Sequence, residues 1–194
     1  VTAAEPADDG RPRCDWVPAN SPLYREYHDQ EWGRALRGTV PLYERLCLEA
    51  FQSGLSWITI LRKRDNFRRA FAGFDIDTVA GFGDADVARL MADTGIVRNR
   101  AKIEATVANA RATADLDVDL SDLLWSFAPP ARPRPAAMSD VPAVTPESTA
   151  MAKELKRRGF RFVGPTTAYA LMQATGMVDD HIRSCWVPPE PGRG

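Results

Sequence analysis

Two cysteines and two histidines stand in pairs in the N-terminal and C-terminal segments of this 194-residue chain, Cys14 with His28 and His181 with Cys185. The second pair has H-x3-C spacing, which sets both side chains on one face of a helical turn. Thiolate and imidazole are donors that zinc favours. Four of them make a closed tetrahedral shell with no position left for a reacting water. Such a site would join two distant segments and hold the fold rather than catalyse. The same residues also read as two unrelated histidines and scattered thiols, because the pairs lie so far apart. The third cysteine, Cys47, makes the count odd, which argues against a disulfide framework. It sits in an apolar stretch and is expected to be buried and inert.

A second chemistry is electrostatic. The formal net charge of −1 does not mark a nucleic-acid binder, but the charge is uneven. Residues 62–69 read RKRDNFRR, 98–102 read RNRAK and 153–161 read KELKRRGFR, while acidic residues gather at 75–86 and 115–122. One basic face on a neutral protein suffices for local phosphate contacts. Solvated helix faces are the other reading of each run.

The elements that would position these groups are helices. Ser21-Pro22 opens one, with Ser as cap and Pro in the first turn, running to about Trp32 and closed by Gly33. Pro41 starts a second through Ser53, closed by Gly54, and Ser56 caps a third carrying Trp57, Ile60 and Leu61 at helical spacing. Further helices are expected over 84–93, 98–113, 121–127, 147–158 and 165–176. No stretch alternates with period two, so the expected class is all-α. Residues 1–12 and 189–194 are expected to be unstructured tails around one domain at 13–188. A Pro- and Ala-rich surface connection runs near 129–146. The composition, with 44% hydrophobic and 26% charged residues, is that of a soluble globular chain. No run approaches the roughly 18 apolar residues of a membrane span, and no signal-peptide pattern opens the chain, so a cytoplasmic address and no membrane partner follow by default.

Several segments share a pattern with one family. R-C-D-W at 13–16, Y-R-E-Y-H-D-Q-E-W-G at 24–33, C-L-E at 47–49, G-L-S-W-I-T-I-L at 54–61, L-W-S-F at 124–127, K-R-R-G-F-R-F-V-G at 156–164 and D-H-x3-C at 180–185 appear in order. Together they resemble the DNA-3-methyladenine glycosylase I family, of the helix-hairpin-helix glycosylase superfamily. The resemblance implies a helical bundle with one structural Zn2+ held by Cys14, His28, His181 and Cys185. It implies an enzyme that hydrolyses the N-glycosidic bond of 3-methyladenine in double-stranded alkylated DNA, releases the free base and does not cut the strand. A monomer is the default state.

Such an enzyme must turn the damaged nucleotide out of the duplex and hold its base in a pocket. N3-alkylated adenine is cationic, so its glycosidic bond is already weak. The pocket must prefer a flat cation, which aromatic faces and a carboxylate do. The resemblance implies Glu49 as that carboxylate, Tyr27 and Trp57 as pocket aromatics, and Trp16 stacking nearby. Tyr24 and Trp32 are second-tier candidates. Tyr24 and His28 are four residues apart on one helix, so a metal would help fix the aromatic surface. Periodicity alone reads the aromatics as core, and reads Arg45 and Glu49 as an exposed ion pair. Glu49, Gln52 and Ser53 share a helix face running into Gly54-Leu55, and in the resemblance 53–55 is the loop inserted into the base stack. Gly159–Gly164, followed by a helix from Pro165-Thr166, resembles the superfamily's DNA-anchoring hairpin, with backbone N–H groups for a phosphate. Asp179 stands where the superfamily puts a catalytic carboxylate. It reads either as a working catalyst, with Glu49 and Tyr27 acting on the base, or as a brace for His181, and the brace is favoured because the labile leaving group needs little help. Other readings are a non-catalytic zinc-stabilised DNA-binding domain, or a glycosylase for a different damaged base.

Overall fold

The computed structural model describes residues 9–189. Of the two expected tails, 1–8 and 190–194 fall outside the described residues. Residues 9–12 have no regular structure but are held in place: Arg13 binds Asp9, Arg11 lies over the Trp186 ring, and Trp186 N–H donates to the Pro12 carbonyl.

The described residues form nine α-helices, two short 3-10 turns and no strand. In chain order the helices are α1 (Pro22–Gln30), α2 (Thr39–Gln52), α3 (Trp57–Ala70), α4 (Ile76–Ala80), α5 (Asp84–Ala92), α6 (Arg100–Ala114), α7 (Leu120–Trp125), α8 (Pro146–Arg157) and α9 (Pro165–Ala174). The all-α expectation and eight of these helices match to within about two residues at most ends. α4 was not expected, because five residues are too short to show a period. A cap makes it: the Asp75 carboxylate accepts from Thr78 N–H at 2.9 Å.

Three boundaries differ for local reasons. α1 stops at Gln30, since the N–H groups of Glu31 and Trp32 both turn back to the Tyr27 carbonyl, and Gly33 lies beyond in a turn. α2 begins at Thr39, two residues before Pro41; a proline in the first turn lacks only an N–H that has no intrahelical partner there. The segment 181–185 is not a helix. Cys185 N–H bonds Ile182 O at 2.9 Å, so a single hydrogen-bonded turn presents His181 and Cys185 together.

α2 is the central element and packs against α3, α6, α7 and α9. Its apolar face meets the rings of Phe67, Phe71 and Phe74, with Phe51 4.6 Å from Phe67 between ring centres. Cys47 lies in this core, fully buried, and burial raises its thiol pKa to about 12, in line with an inert thiol. α6 carries Asn109, which binds both the N–H and the carbonyl of Arg161 and so holds the connection between α8 and α9. Lys102, part of a run that could have been a solvated face, is buried. Its ammonium donates to the carbonyls of Phe51 and Ser53 at 2.9 and 2.5 Å, closing the C-terminus of α2.

The Pro-rich connection carries only the short 3-10 turn Met138–Asp140, and it is anchored. Arg132 and Arg134 bind Asp180 and Asp179, and Pro135 O accepts from Arg183 N–H. The segment is thereby laid along residues 179–187. After α9 the chain turns at Gly176 (φ +70°), where a Cβ would stand 2.6 Å from the Arg34 carbonyl carbon and 2.8 Å from Ala35 N. Gly176→Ala therefore meets backbone and not a movable side chain, and also forces an L-residue to positive φ. We expect it to lower stability by about 2 kcal/mol or more; urea unfolding of the variant beside wild type would measure this, and a loss under about 0.5 kcal/mol would refute the contact.

Candidate functional site

A cavity of about 310 Å³ opens between α1, the C-terminal half of α2, the start of α3 and α9. Its walls are largely aromatic: Trp16, Tyr24, Tyr27, Trp32 and Trp57 all line it. Core packing and pocket lining, opposed in the sequence reading, are here one arrangement. Tyr27, Trp32 and Trp57 are less than a tenth exposed, yet each turns a surface to the cavity. The rings brace one another, Trp16 edge-on to Tyr24 at 5.5 Å and Tyr27 tilted against Trp57 at 5.3 Å. Tyr24 is held by its hydroxyl, which accepts from Ile58 N–H at 3.1 Å and pins α1 to the first turn of α3.

Glu49 lines the same cavity from α2. The exposed Arg45–Glu49 pair suggested by periodicity does not form. Both residues are buried, and Arg45 instead donates to the Tyr27 hydroxyl at 2.9 Å and to Glu31 at 3.2 Å. Glu31 is further bound by Arg64. Sequence periodicity missed this because the face that carries 45 and 49 looks polar but is covered by α1 and α3. Glu49 makes no hydrogen bond or ion pair among the described residues. Burial raises its pKa to about 7, partly offset by the positive charge of Arg45. Burial likewise pushes the Tyr27 phenol up, so it stays protonated. Since that hydroxyl accepts from Arg45, its own proton is free to be donated elsewhere.

Beside this cavity, and sharing Glu49, Gln52 and Ala170 with it, lies an open groove of about 340 Å³. Ser53, Gly54 and Leu55 form one bank; Thr166 and Thr167, in the first turn of α9, form the other. Leu55 is 40% exposed on a turn that Gly54 makes at φ +79°. The hairpin from Gly159 (φ +93°) to Gly164, the residue preceding α9, continues from this bank. The basic runs contribute less free charge than their sequence suggests. Arg64 and Arg68 bind Glu31 and Glu44, and Arg157 and Arg158 bind Glu154.

The two Cys/His pairs come together behind the aromatic wall. One ligand atom each from Cys14, His28 and Cys185 lie within 4.8 Å of one another, all buried. His181 is outside this tightest group, but its ring packs edge-on to His28 at 4.9 Å. Its Nε2 is buried with no partner. Each imidazole is held by a carboxylate that an arginine holds in turn: His28 Nδ1 to Asp29 at 2.8 Å with Arg13, and His181 Nδ1 to Asp179 at 3.0 Å with Arg134. A carboxylate on Nδ1 leaves each Nε2 as a lone-pair donor, the arrangement of metal-binding histidines. The two sulfurs lie within 4.8 Å of each other. The Cys185 bond keeps Cys14 protonated, and Cys185, bonded by Cys14 and His28, is lowered to about 4. Two soft sulfurs and two imidazoles, with the His181 Nε2 buried and orphaned, are a donor set that suits a closed zinc site. Trp32 stacks 6.1 Å from His28 and edge-on to His181 at 4.7 Å, so the cluster forms the back of the cavity wall.

Asp179 faces this cluster and is not among the residues that line the cavity with Glu49. Burial works against its charge, but His181 and Arg134 outweigh that and keep its pKa below the ordinary value.

The sequence model of the methyladenine glycosylase family matches residues 16–188. The chain belongs to the methyladenine glycosylase family. It is 44% identical over 182 residues to DNA-3-methyladenine glycosylase 1 of Escherichia coli K12, covering 91% of this chain and 97% of that one. A crystal structure of 3-methyladenine DNA glycosylase I superposes with a TM-score of 0.89 at 46% identity, covering 92% of this chain and all of that one. A Staphylococcus aureus structure described as showing 3-methyladenine recognition superposes at 0.84, with 35% identity over 88% of this chain and 93% of that one.

Within this methyladenine glycosylase fold, sequence reasoning passed over Ser56, Met138, Ala170 and Gln173, which also line the cavity. Met138 comes from the Pro-rich connection and Gln173 from an otherwise apolar helix, and neither carries a local pattern that marks a pocket. Glu49 yields a pH test. Its carboxyl titrates near 4.5 when unfolded and about 7 when folded. Its contribution is thus intact below 4.5, where both states hold the proton, and is lost as pH rises towards 7. Glu49→Gln removes that loss, so at pH 8 we expect the variant to be more stable than wild type by about 3 kcal/mol, with the difference shrinking towards pH 4.5. Urea unfolding across this range decides; a pH-independent difference would contradict the buried, unpaired carboxyl.

Proposed function

We propose that this protein excises 3-methyladenine from alkylated double-stranded DNA by hydrolysing its N-glycosidic bond. The observation that carries the reading is Glu49, a buried carboxyl without a protein partner in a cavity walled by aromatic rings. A buried charge normally has a partner within the fold. Here the missing partner has to come from outside, and the walls require it to be flat. N3-methylated adenine is flat and cationic while attached to the sugar.

Ring faces at Trp16, Tyr27 and Trp57 attract that cation, and Glu49 supplies opposite charge and accepts from its exocyclic amine. Neutral adenine gains neither charge term. When the bond from C1′ to the base breaks, its electron pair goes to the base, which leaves neutral as the free base. Water forms the new bond at C1′ and gives its proton to solvent. The enzyme thus needs to turn out and hold the nucleotide more than to activate a nucleophile. This assigns Glu49 and Tyr27 to the base and Asp179 to bracing His181. We read the chemistry as simple hydrolysis without strand cleavage. Lys102, the cation beneath the 51–53 backbone, is committed to two carbonyls.

On this reading Gln52, Ser53, Gly54 and Leu55 enter the base stack where the nucleotide leaves it, and Gly159, Gly164 and Thr166 present backbone N–H groups to a phosphate. No helix among the described residues is long and apolar enough to cross a membrane. We read the protein as a cytoplasmic monomer acting on DNA.

Release of free base from methylated duplex DNA, followed by chromatography with 7-methylguanine and hypoxanthine assayed alongside, tests the function. Release of 3-methyladenine is expected; release of none of the three would exclude it. Leu55→Ala should cut the rate on duplex at least tenfold, a barrier change of about 1.4 kcal/mol, and leave affinity for the free base unchanged. Equal losses in both assays would refute the assignment of Leu55 to opening the base stack.

We further propose one zinc ion held by Cys14, His28, His181 and Cys185, with a structural role. Elemental analysis of native protein should give one zinc per chain. Cys185→Ser should release it and lower the melting temperature, since structural zinc contributes on the order of 10 kcal/mol of apparent folding free energy. A zinc-free native protein would end this assignment.

A further inference from the structure

Gln173 lines the cavity, and its amide is oriented by a buried network. Its Nε2 donates to Asp180 Oδ2 at 3.0 Å. The same oxygen accepts from the Tyr169 hydroxyl at 2.6 Å, and Oδ1 accepts from Arg132 Nη2 at 2.7 Å. Arg132 also donates to Tyr169. Asp180 is 1% exposed and saturated with donors. A carboxylate paired to arginine can only accept, so the amide must turn its nitrogen to Asp180 and its oxygen away. No donor reaches Gln173 Oε1 among the described residues, and it is not a sealed atom.

A flipped base enters with the edge opposite its glycosidic bond leading. In adenine-type bases that edge carries an amine at C6; in 6-oxo purines it carries a carbonyl. With its nitrogen tied to Asp180, the Gln173 amide is left with its oxygen, which accepts from the first and repels the second. We propose that Gln173 reads the C6 substituent of the base, selecting 6-amino over 6-oxo purines, with Asp180, Tyr169 and Arg132 as positioning residues that hold its amide in one orientation. This rests on the reading of the cavity as a base pocket, and it adds a basis for selectivity distinct from charge. Glu49 and the rings sense the cation, Glu49 also accepts from its amine, and Gln173 adds a second, uncharged acceptor for the same C6 group.

The network makes an unusual variant informative. In Asp180→Asn, Arg132 holds the amide oxygen at the former Oδ1 site. The new NH2 then stands at the former Oδ2 site, facing Tyr169 and Gln173. Gln173 must now turn its oxygen to that NH2 and its own NH2 to the cavity, which reverses what it reads. The probes are free 3-methyladenine and 3-methylhypoxanthine, which differ in the C6 group and in one ring N–H, with dissociation constants from calorimetry on full-length protein; the change in their ratio between wild type and variant isolates the Gln173 term. Wild type should prefer 3-methyladenine. Gln173→Ala should cut that preference by about tenfold, and Asp180→Asn should abolish or invert it. A structural role alone would weaken both bases equally and leave the ratio unchanged; that result overturns the assignment while leaving the base pocket standing. If wild type binds neither base, the pocket reading fails and the inference with it. Should Asp180→Asn not fold by thermal denaturation, the ratio for Gln173→Ala decides alone.

Discussion

The contact of His28 and His181 with Trp16 and Trp32 is what the rest of the molecule depends on. The two imidazoles come from distant parts of the chain, and each is locked by its own carboxylate and arginine. Their outer faces are the inner lining of the aromatic wall. Stability and recognition are therefore not separate regions. A change that loosens the cluster shifts the rings, and a change in the rings exposes the cluster. Gly33 shows how close this packing is: a Cβ there would stand 2.7 Å from His181 Cε1.

On that wall the cavity sets two kinds of selection against each other. Arg45 lies 5.3 and 5.5 Å from the ring centres of Tyr27 and Trp57, so the aromatic surface already has a cation on one side. Glu49 faces the cavity without one. The field across the site runs from a fixed positive charge behind the rings to a carboxyl near its titration midpoint at neutral pH. Such a carboxyl gains its charge most readily when a positive ring arrives, and sits protonated at little cost when the cavity holds only water.

Much of this was legible in the sequence, for identifiable reasons. Helices declared themselves through caps and proline positions, as at Ser21-Pro22. The aromatic and Glu49 positions followed from motif resemblance; the helical wheel alone misread Arg45 and Glu49 as exposed, because which face of α2 is covered depends on α1 and α3 arriving from elsewhere. The turn at 181–185 was misread as helix since one hydrogen-bonded turn and a helix put residues four apart at similar spacing. Gln173, Met138 and the Lys102 tie left no trace in local pattern. Each depends on a partner fifty or so residues away, or on a cavity that exists only once four helices have met.

The joining of Cys14 and His28 to Cys185 also sets an order of events during synthesis. The helices α2 to α6 contain the phenylalanine core and can begin to pack as they emerge. The back of the pocket cannot close until residues 179–187 have been made, several seconds or more after Trp16 leaves the ribosome at rates on the order of 10 residues per second. In that interval the indoles of Trp16 and Trp32 have His28 beside them but lack His181, which closes the wall edge-on to Trp32. A chain ending before residue 181 would keep Trp16 and Trp32 against His28 but lack His181 and Cys185, and with them the closed back of the pocket.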